Sequence, residues 1–359
     1  MILKTETLQK AYKIVDQVES GPGLLSSQFA RISAQSKALV INLSGLVFSE
    51  ISLPFSDHDA ATWSFYADRR VLGGFISTVA TETIELLAAK EQVTMKSGRH
   101  KIVLTPMGDI SGYQQWKRSP NGRSVQLPEA IHRDLGLLSK YSPDLAALDH
   151  LSAVQIIKGY GMVASDSMIL AAKLDSKVAA GMALPTGIAR LIPALDCKEI
   201  VIEPSGVGLL LEYGYLYQTN SEKLIKEYPL KTIQTLVAEG QKLPAILKIK
   251  SGELMLALDY LSNFIGFGAG SGASISAFAN KNILTLSLKL PSGVIEKRLV
   301  LGSLPTVLPF DESWQIEALT PWVKHIAEST KDDIVFARTD TGFQYFRSKN
   351  FILAMVGHA

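Results

Sequence analysis

The chain contains three segments in which apolar side chains recur every three or four residues, the spacing of one face of an α-helix. The segments open near residues 67, 183 and 318, and a short strand-like run follows each of them: TIELLA (83–88), EIVIEP (199–204) and DIVFAR (333–338). The apolar positions of the three helical segments are Val71, Leu72, Phe75, Ile76 and Val79; Ile188, Leu191, Ile192 and Leu195; and Val323, Ile326 and Ala327. The pattern predicts one helix and then one strand in each segment.

Two further alternating runs complete each segment, at 93–106, 207–220 and 342–355. The spacing between the copies is constant, because Ile84 and Ile200 are separated by the same 116 positions as Gly98 and Gly214. Constant spacing over a whole segment indicates an internal repeat, which has to be recognised before a fold is assigned. The chain therefore carries three copies of one helix-and-strand unit.

A second, looser repeat precedes each of these units. Leu8–Val18, Pro128–Tyr141 and Ser251–Phe264 have the pattern of amphipathic helices, and strand-like runs follow at 37–48, 153–164 and 282–293. The sequence thus predicts an α+β protein of three repeated domains, each with two helices packed on antiparallel sheets. We place the domains at 1–122, 123–244 and 245–359. The pattern alone leaves open whether they form a closed arrangement or a linear array.

Composition supports an ordered protein without a strong charge bias. Of 359 residues, 47% are hydrophobic and 19% charged, and the net charge is +2, so basic patches can coexist with acidic ones. The single cysteine, Cys197, cannot form an intrachain disulfide, which suits a reducing compartment. No apolar stretch has the length of a membrane span or of a signal peptide core. We expect a cytoplasmic protein without membrane contact, in the host cytoplasm if a phage encodes it.

No group of residues has the spacing of a catalytic or metal site. The six histidines are scattered and no zinc-binding pattern includes them, so we expect no metal and no cofactor. The glycine-rich run Gly266–Gly272 offers one alternative, a nucleotide-handling enzyme, because glycines let backbone amides approach a phosphate. The run follows a predicted helix and precedes strands, however, which is the reverse of a dinucleotide-binding turn. We predict a flexible loop there and a protein that is not an enzyme.

The repeat architecture resembles the bacterial β sliding clamp, the processivity subunit of the replicative DNA polymerase, including its phage-encoded relatives. The resemblance covers essentially the whole chain and is clearest at 71–107, 162–174, 201–229 and 326–359. The family's Thr-Asp-Gly-His-Arg-Leu-Ala run in the middle domain corresponds here to SDSMILA (165–171), which lacks the Gly-His-Arg centre. Domain order, length and repeats carry the resemblance more than any single motif does.

The resemblance implies a ring-shaped homodimer that encircles duplex DNA, tethers a DNA polymerase and is opened by a clamp loader. Three domains would form half of the closed ring, and free strand edges at the two ends would meet head to tail. The residues expected at this dimer interface are Phe75, Ile76, Ile102, Leu104, Tyr260, Leu261 and Ile295. The resemblance also leaves room for a clamp-like decoy that inhibits replication proteins without encircling DNA.

DNA binding by such a ring should involve the phosphate backbone and be independent of sequence. Basic residues on the predicted helices and in the segment between the first two domains are the candidates: Lys10, Lys13, Arg69, Arg70, Lys117, Arg118, Arg123, Arg133, Lys140, Arg190 and Lys324. Acidic residues are nearly as frequent on the same helices, Asp16, Asp68 and Asp134 among them. The basic residues can therefore act together only if the acidic ones face elsewhere or have other partners.

The resemblance further implies an apolar cleft that binds short peptides of partner proteins. Carried over by position, the cleft comprises residues from the middle domain, from the loop expected after its strands, and from the C-terminus: Ser165, Ser167, Met168, Ile169, Leu170, Pro229, Ile233, Leu353, Met355 and Val356. Flexible methionine and aliphatic side chains suit a surface shared by several peptides. The altered Ser167-Met168-Ile169 centre predicts a partner motif particular to this protein.

Overall fold

The computed structural model describes most of the chain, and its residues divide into two compact units. Unit 1 is Met1–His132 with Met182–Glu222, and unit 2 is Arg133–Gly181 with Lys223–Ala359. The described residues are 1–18, 28–35, 38–45, 47–55, 63–89, 92–105, 107, 121–143, 149–157, 159–174, 181–220, 226–265, 273–307 and 310–357. The glycine-rich run Gly266–Gly272 lies outside them, as do Lys117 and Arg118.

Seven α-helices lie within the described residues, and six of them are the helices that apolar spacing predicts. They are α1 (Thr5–Gln17), α2 (Arg69–Thr78), α3 (Glu129–Tyr141), α4 (Thr186–Ala194), α5 (Leu230–Lys242), α6 (Ser251–Ser262) and α7 (Ile316–Ser329). None of them is long and apolar enough to span a membrane. Only α5 was not predicted.

Short strands make up most of the remaining described chain. The strands before α3 are β1 (Ile2–Lys4), β2 (Phe29–Gln35), β3 (Ala38–Leu43), β4 (Phe48–Pro54), β5 (Trp63–Asp68), β6 (Thr83–Ala89), β7 (Gln92–Ser97), β8 (His100–Leu104) and β9 (Arg123–Gln126). Those between α3 and α5 are β10 (Ala153–Ile157), β11 (Tyr160–Ala164), β12 (Met168–Lys173), β13 (Met182–Pro185), β14 (Glu199–Glu203), β15 (Gly206–Leu211) and β16 (Gly214–Thr219). Those after α5 are β17 (Leu247–Lys250), β18 (Ser274–Asn280), β19 (Ile283–Leu290), β20 (Gly293–Val300), β21 (Phe310–Gln315), β22 (Asp333–Arg338), β23 (Phe343–Arg347) and β24 (Phe351–Val356).

Unit 1 contains two sheets, one of which combines strands from two predicted domains. The smaller sheet has the order β1-β6-β7-β8, and the larger has the order β5-β2-β3-β4-β16-β15-β14-β9. The join is the antiparallel pair of β4 with β16, which runs from Gly214 opposite Ile51 to Tyr217 opposite Phe48. Buried and exposed residues alternate along β3 and β4, as expected for strands with one face on a core.

Unit 2 repeats this arrangement. Among the strands of unit 2, one sheet has the order β10-β11-β12-β24-β23-β22-β17, and the other has the order β20-β19-β18-β21. Here β12 and β24 make the join, with Met168 opposite Met355 and Leu170 opposite Leu353. Both large sheets thus continue across the boundaries drawn from the sequence at 122 and 244, which explains why the two compact units do not coincide with three predicted domains. The division into three domains remains a prediction.

The core of unit 2 is built around aromatic rings on the strands that flank α7. The Trp314 ring lies 5.1 Å from the Phe346 ring and 5.6 Å from the Phe336 ring, in edge-to-face and tilted orientations. All three side chains are buried, as is Trp322 on α7. Aromatic pairs at these distances contribute roughly 0.5–1.5 kcal/mol each beyond the area they bury. This core therefore holds α7 against both sheets of the unit.

Helix α5 corrects the sequence prediction, which placed a loop after Pro229. The buried residues Ile233, Val237 and Gly240 lie three and four positions apart, so that one face of the helix packs on the sheet. A Cβ atom added to Gly240 would lie 2.3 Å from Cδ1 of Tyr345, so only glycine permits this approach. In the same strand, Nη1 of Arg347 donates to the carbonyls of Gly240 and Gln241 at 2.7 and 2.8 Å. These bonds satisfy two backbone acceptors at the C-terminus of α5.

Candidate functional site

The residues predicted for the peptide cleft come together where β12 and β24 pair. Ile169 lies opposite Ala354, one position from the pair of Met168 with Met355. A tight turn precedes β12, in which the Ser165 N–H donates to the Met168 carbonyl at 2.8 Å. The Val356 N–H donates to the Ser167 carbonyl at 3.1 Å and extends the pairing to the end of the strand. The turn and the C-terminal strand therefore form one continuous surface, which we call the cleft.

Helix α5 supplies the third side of the cleft. Pro229 is exposed at the N-terminus of the helix, and Ile233, one turn later, is 1% exposed and packs in a cluster with Ile169 and Ala354. Predicted cleft residues therefore fall into two groups. Leu170, Leu353 and Met355 are buried and alternate with Ile169 and Ala354 along the strands, so they face the side of the sheet opposite to the buried Ile233. Val356 is 46% exposed, and Met168 and Ile169 are half-buried.

Two aromatic residues of the cleft were missed by the sequence analysis. Tyr228 and Phe343 are half-buried and pack against the same cluster as Ile169. The Tyr228 hydroxyl donates to the Met162 carbonyl at 3.4 Å, and burial raises the pKa of this tyrosine. Tyr228 immediately precedes Pro229, a predicted cleft residue. Phe343 lies in the predicted alternating run 342–355. Tyrosine and other large aromatic side chains are enriched among the residues that contribute most to binding energy at protein interfaces.

Basic side chains on the first two helices differ in how free they are to bind an anion. Lys13 on α1 and Arg70 on α2 are exposed. Lys10 is exposed too, but its Nζ lies 2.7 Å from Oε1 of Glu6, one turn away. Arg69 is tied to the protein, because its Nη1 donates to the Val18 carbonyl at 3.1 Å. Lys13 and Arg70 are therefore the stronger candidates for phosphate contacts in this part of unit 1.

The remaining predicted basic residues occupy helices and one strand. Arg133 and Lys140 on α3 and Lys324 on α7 are exposed, and Arg190 on α4 is half-buried. Arg123 is exposed on β9, an edge strand of the larger sheet of unit 1, and not in a loop between domains. These side chains carry positive charge on three different helices.

Two acidic residues on or beside the same helices, Asp68 and Asp134, form hydrogen bonds within the protein. Asp68 caps α2, since its Oδ1 accepts from the backbone N–H groups of Arg70 and Val71 at 2.7 and 3.3 Å. Asp134 on α3 lies 3.1 Å from Nε2 of His325 on α7. The Asp16 side chain on α1 is exposed, but partial desolvation of its carboxyl raises the pKa of that group. Asp68 and Asp134 are therefore held by contacts within their own units.

Two sheets end in edge strands that carry exposed apolar side chains. β8 is the last strand of the smaller sheet of unit 1 and presents Val103, which is 46% exposed. β20 is the last strand of its sheet in unit 2 and presents Val294 and Val300. Helix α6 packs on β20 and places Tyr260 beside it, with Nζ of Lys297 5.5 Å from the ring centroid. Such edges are association sites.

Only part of the predicted dimer interface lies on these edges. Phe75, Ile102 and Ile295 are half-buried and Tyr260 is exposed, so all four can contact another chain. Ile76, Leu104 and Leu261 are buried in the cores of their own units and are not available as surface contacts. Their neighbours in the sequence present the surface, because consecutive residues of a strand or helix face different sides.

Nothing within the described residues indicates catalytic chemistry. No group of three or more histidine, cysteine or acidic residues there could hold a metal ion. The Cys197 thiol donates to the Glu199 carbonyl at 3.1 Å, and burial raises the pKa of this thiol, which is the opposite of an activated nucleophile. The cleft, the exposed basic side chains and the sheet edges are surfaces suited to binding.

Solved structures with the same arrangement cover the chain from end to end. The DNA polymerase III β subunit of Thermotoga maritima superimposes with a TM-score of 0.81 at 12% identity, over 100% of this chain and 98% of that one. The DNA polymerase sliding clamp of Bacillus subtilis gives a TM-score of 0.79 at 13% identity, over 100% and 98%. The Helicobacter pylori β clamp, solved with a DNA ligase peptide, gives 0.78 at 10% identity, over 100% and 99%.

This chain has the sliding-clamp fold. No protein-family model and no curated protein sequence matches it. The sliding-clamp fold confirms the α+β class with helices on antiparallel sheets that the repeats predicted. The fold is thus shared at 10–13% sequence identity.

Proposed function

We propose that this protein is a DNA sliding clamp, a non-enzymatic ring that encircles duplex DNA and tethers a DNA polymerase for processive synthesis. The observation that carries the proposal is the end-to-end likeness to bacterial DNA polymerase III β subunits and sliding clamps, with TM-scores of 0.75–0.81. A chain matched over its full length has the same set of structural elements as one clamp subunit.

The ring is proposed to be a homodimer with head-to-tail contacts. β8 with Phe75 and Ile102 would form one side of each contact, and β20 with Tyr260 and Ile295 the other. The two surfaces belong to different parts of the chain, so the contact is heterologous and gives a ring only if rotation closes it after two copies. Three predicted domains per chain make each subunit half of that ring.

DNA would be held by the exposed basic side chains on the helices through its phosphates alone. Contacts of this kind carry no sequence information and allow sliding. The partners proposed for the cleft are short peptides of the polymerase and of other replication proteins, since the Helicobacter pylori clamp was solved with a DNA ligase peptide. A clamp loader would open the ring. We place the protein in the cytoplasm, which is that of the host if a phage encodes it.

Topological retention tests this function directly. The full-length protein is incubated at micromolar concentration with a nicked circular plasmid, and the complex is isolated by gel filtration in high salt. We expect the protein to stay with the circle and to be lost when a restriction enzyme linearises the plasmid. Equal retention on circular and linear DNA would contradict the ring. Binding to polymerase peptides without any retention on circles would identify the clamp-like decoy instead.

The basic helices allow a second test, through the salt dependence of DNA binding. Replacing Lys13, Arg133 and Lys324 together by glutamine should lower the slope of log K against log salt by up to about 3, because each lost phosphate contact removes about 0.9 from the slope. The three residues are exposed on α1, α3 and α7. Binding to a short duplex is measured by fluorescence anisotropy at several salt concentrations.

A matched variant controls for the change in net charge. Lys281, Lys289 and Lys349 are also exposed, but they lie in β19 and in turns between strands. Replacing these three by glutamine removes the same charge and should leave the slope unchanged. If both triple variants lower the slope equally, DNA binding reflects net charge and the helices hold no phosphate sites.

A further inference from the structure

A polar recess of about 360 Å³ lies in unit 2 beside the end of the C-terminal strand. We call it the C-terminal recess. It is lined by residues of β21, of β22, β23 and the turn between them, and by the residue that follows β24. The lining residues used in the argument are Glu312, Arg338, Asp340, Gly342, Gln344 and Gly357. The recess is therefore polar, unlike the cleft.

The C-terminal recess begins where the cleft ends. Gly357 follows Val356, the exposed cleft residue, and its N–H donates to the Gly342 carbonyl at 2.8 Å. Gly342 in turn precedes Phe343, which packs against the apolar cluster of the cleft and lies opposite Val356. Gln344, the next residue of β23, contacts β21 on the opposite side of the sheet. A peptide side chain at this end of the cleft would therefore enter the recess by turning around Gly357.

The buried side chain of Gln344 leaves an unused acceptor in this recess. Gln344 is 4% exposed, and its Nε2 donates to Oε2 of Glu312 at 2.9 Å and to the Ser313 carbonyl at 3.2 Å. Both partners are acceptors only, so the amide nitrogen must face them and the amide oxygen must face away. No described residue donates to that oxygen. This oxygen is not among the buried polar atoms that lack a partner, so it is open to solvent and available to a donor from a ligand.

The charges of the recess favour a cation. Glu312 and Asp340 are carboxylates, and Arg338 is the one cation among the six residues, so the recess carries a net negative charge. Asp340 is exposed and accepts from no described residue. Glu312 already pairs with the guanidinium of Arg338, whose side chain is 45% exposed. A guanidinium thus fits beside Glu312, and the free groups that remain are acceptors.

We infer that the C-terminal recess binds the side chain of an arginine in the partner peptide that occupies the cleft. An arginine presents five donors in a planar fork, which suits a carboxylate and an amide oxygen better than the single ammonium of lysine does. This inference rests on the proposed peptide cleft and adds a specificity to it: the partner motif combines apolar residues with one arginine near its end.

Peptide binding to the full-length protein tests the inference. The probes are fluorescein-labelled peptides of a Ser/Ala scaffold with a central Leu-Phe pair, in which one arginine is placed at each flanking position in turn. Each arginine is matched by citrulline, which has nearly the same shape and no charge. Fluorescence anisotropy should show one position at which arginine binds at least about 10-fold more tightly than citrulline, as a charge-assisted pair in a partly desolvated site predicts.

Substitution of the recess locates this preference. Asp340→Asn should reduce the ratio of arginine to citrulline affinity to below about 3, because the free carboxylate is lost. The control Asp311→Asn makes the same change at an exposed aspartate of β21 that does not line the recess, and it should keep the full ratio.

The outcomes separate the inference from the proposed function. If citrulline and arginine peptides bind equally at every position, the cleft stands and the arginine site is wrong. If none of the peptides binds, including those that present only the apolar pair, the peptide cleft itself is refuted and the arginine site with it.

Discussion

Carboxylates placed on either sheet edge should convert the protein to a monomer. Tyr260→Asp with Ile295→Asp charges the β20 side, and Phe75→Asp with Ile102→Asp charges the β8 side. None of the four side chains is fully buried in the chain, so the subunit should still fold, whereas an unpaired carboxylate buried in a contact costs several kcal/mol. We expect the dissociation constant to rise at least about 100-fold. Light scattering should then give the 39.0 kDa chain mass at micromolar concentration in place of twice that value.

Mixing the two edge variants tests whether the contact is head to tail. Each variant keeps one intact side, so a mixture can form one good contact between different variants but not two. The mixture should therefore show dimer mass in light scattering and still be lost from circular plasmids, because the second contact cannot close. Leu87→Asp with Phe278→Asp is the control, since both side chains are exposed on inner strands of the same two sheets. A dimer that survives either edge variant would contradict the proposed interface.

The helices of the fold were predictable because their signal is local. In α2, the buried residues Leu72 and Ile76 lie four positions apart, and equivalent spacings recur in α4 and α7. Repetition strengthened each assignment, since the same spacing at three places is unlikely to arise by chance. Helix α5 has no counterpart in the repeat, and its apolar positions Ile233 and Val237 lie among lysine, threonine and glutamine, so its local pattern does not distinguish it from a loop.

The pairing of strands from neighbouring domains could not be predicted in the same way. The contact of β4 with β16 joins residues more than 150 positions apart, and nothing in the alternation of either strand names its partner. The same holds for β12 and β24, on which the cleft depends. The cleft was therefore predicted only through the resemblance to sliding clamps, by position and not by chemistry.

Surface and core were confused where apolar residues are adjacent. Phe75 and Ile76 are both apolar and consecutive, yet Ile76 is buried in unit 1 while Phe75 is half-buried. Both side chains are apolar and favour the interior, so the sequence does not distinguish them. Their positions around the helix axis determine which one is buried. The roles of acidic residues are equally hidden in the sequence. Asp68 and Asp134 add negative charge to the count for the helices, but in the structure they bind the α2 N-terminus and His325.

Removing Leu353–Ala359 should unfold unit 2, because the segment that contributes to the cleft is also an inner strand of the large sheet. β24 lies between β12 and β23, so the deletion removes one of the two partner strands from each neighbour over half or more of its length. Leu353 and Met355 are at most 1% exposed, and losing each costs about 2–5 kcal/mol. That sum is comparable with the whole stability of a typical domain, about 5–15 kcal/mol.

Tryptophan emission reports this loss, because Trp314 and Trp322 are buried in the core of unit 2. The deletion should shift the emission to the red and remove the near-ultraviolet circular dichroism of these rings at 25 °C. Removing only His358 and Ala359 is the control and should change the melting temperature by less than about 2 °C, since β24 and the bond from Gly357 to Gly342 remain. Native emission in the longer deletion would mean that β24 contributes little to the fold. If the protein unfolds as expected, only substitutions at exposed positions such as Val356 can separate peptide binding from stability.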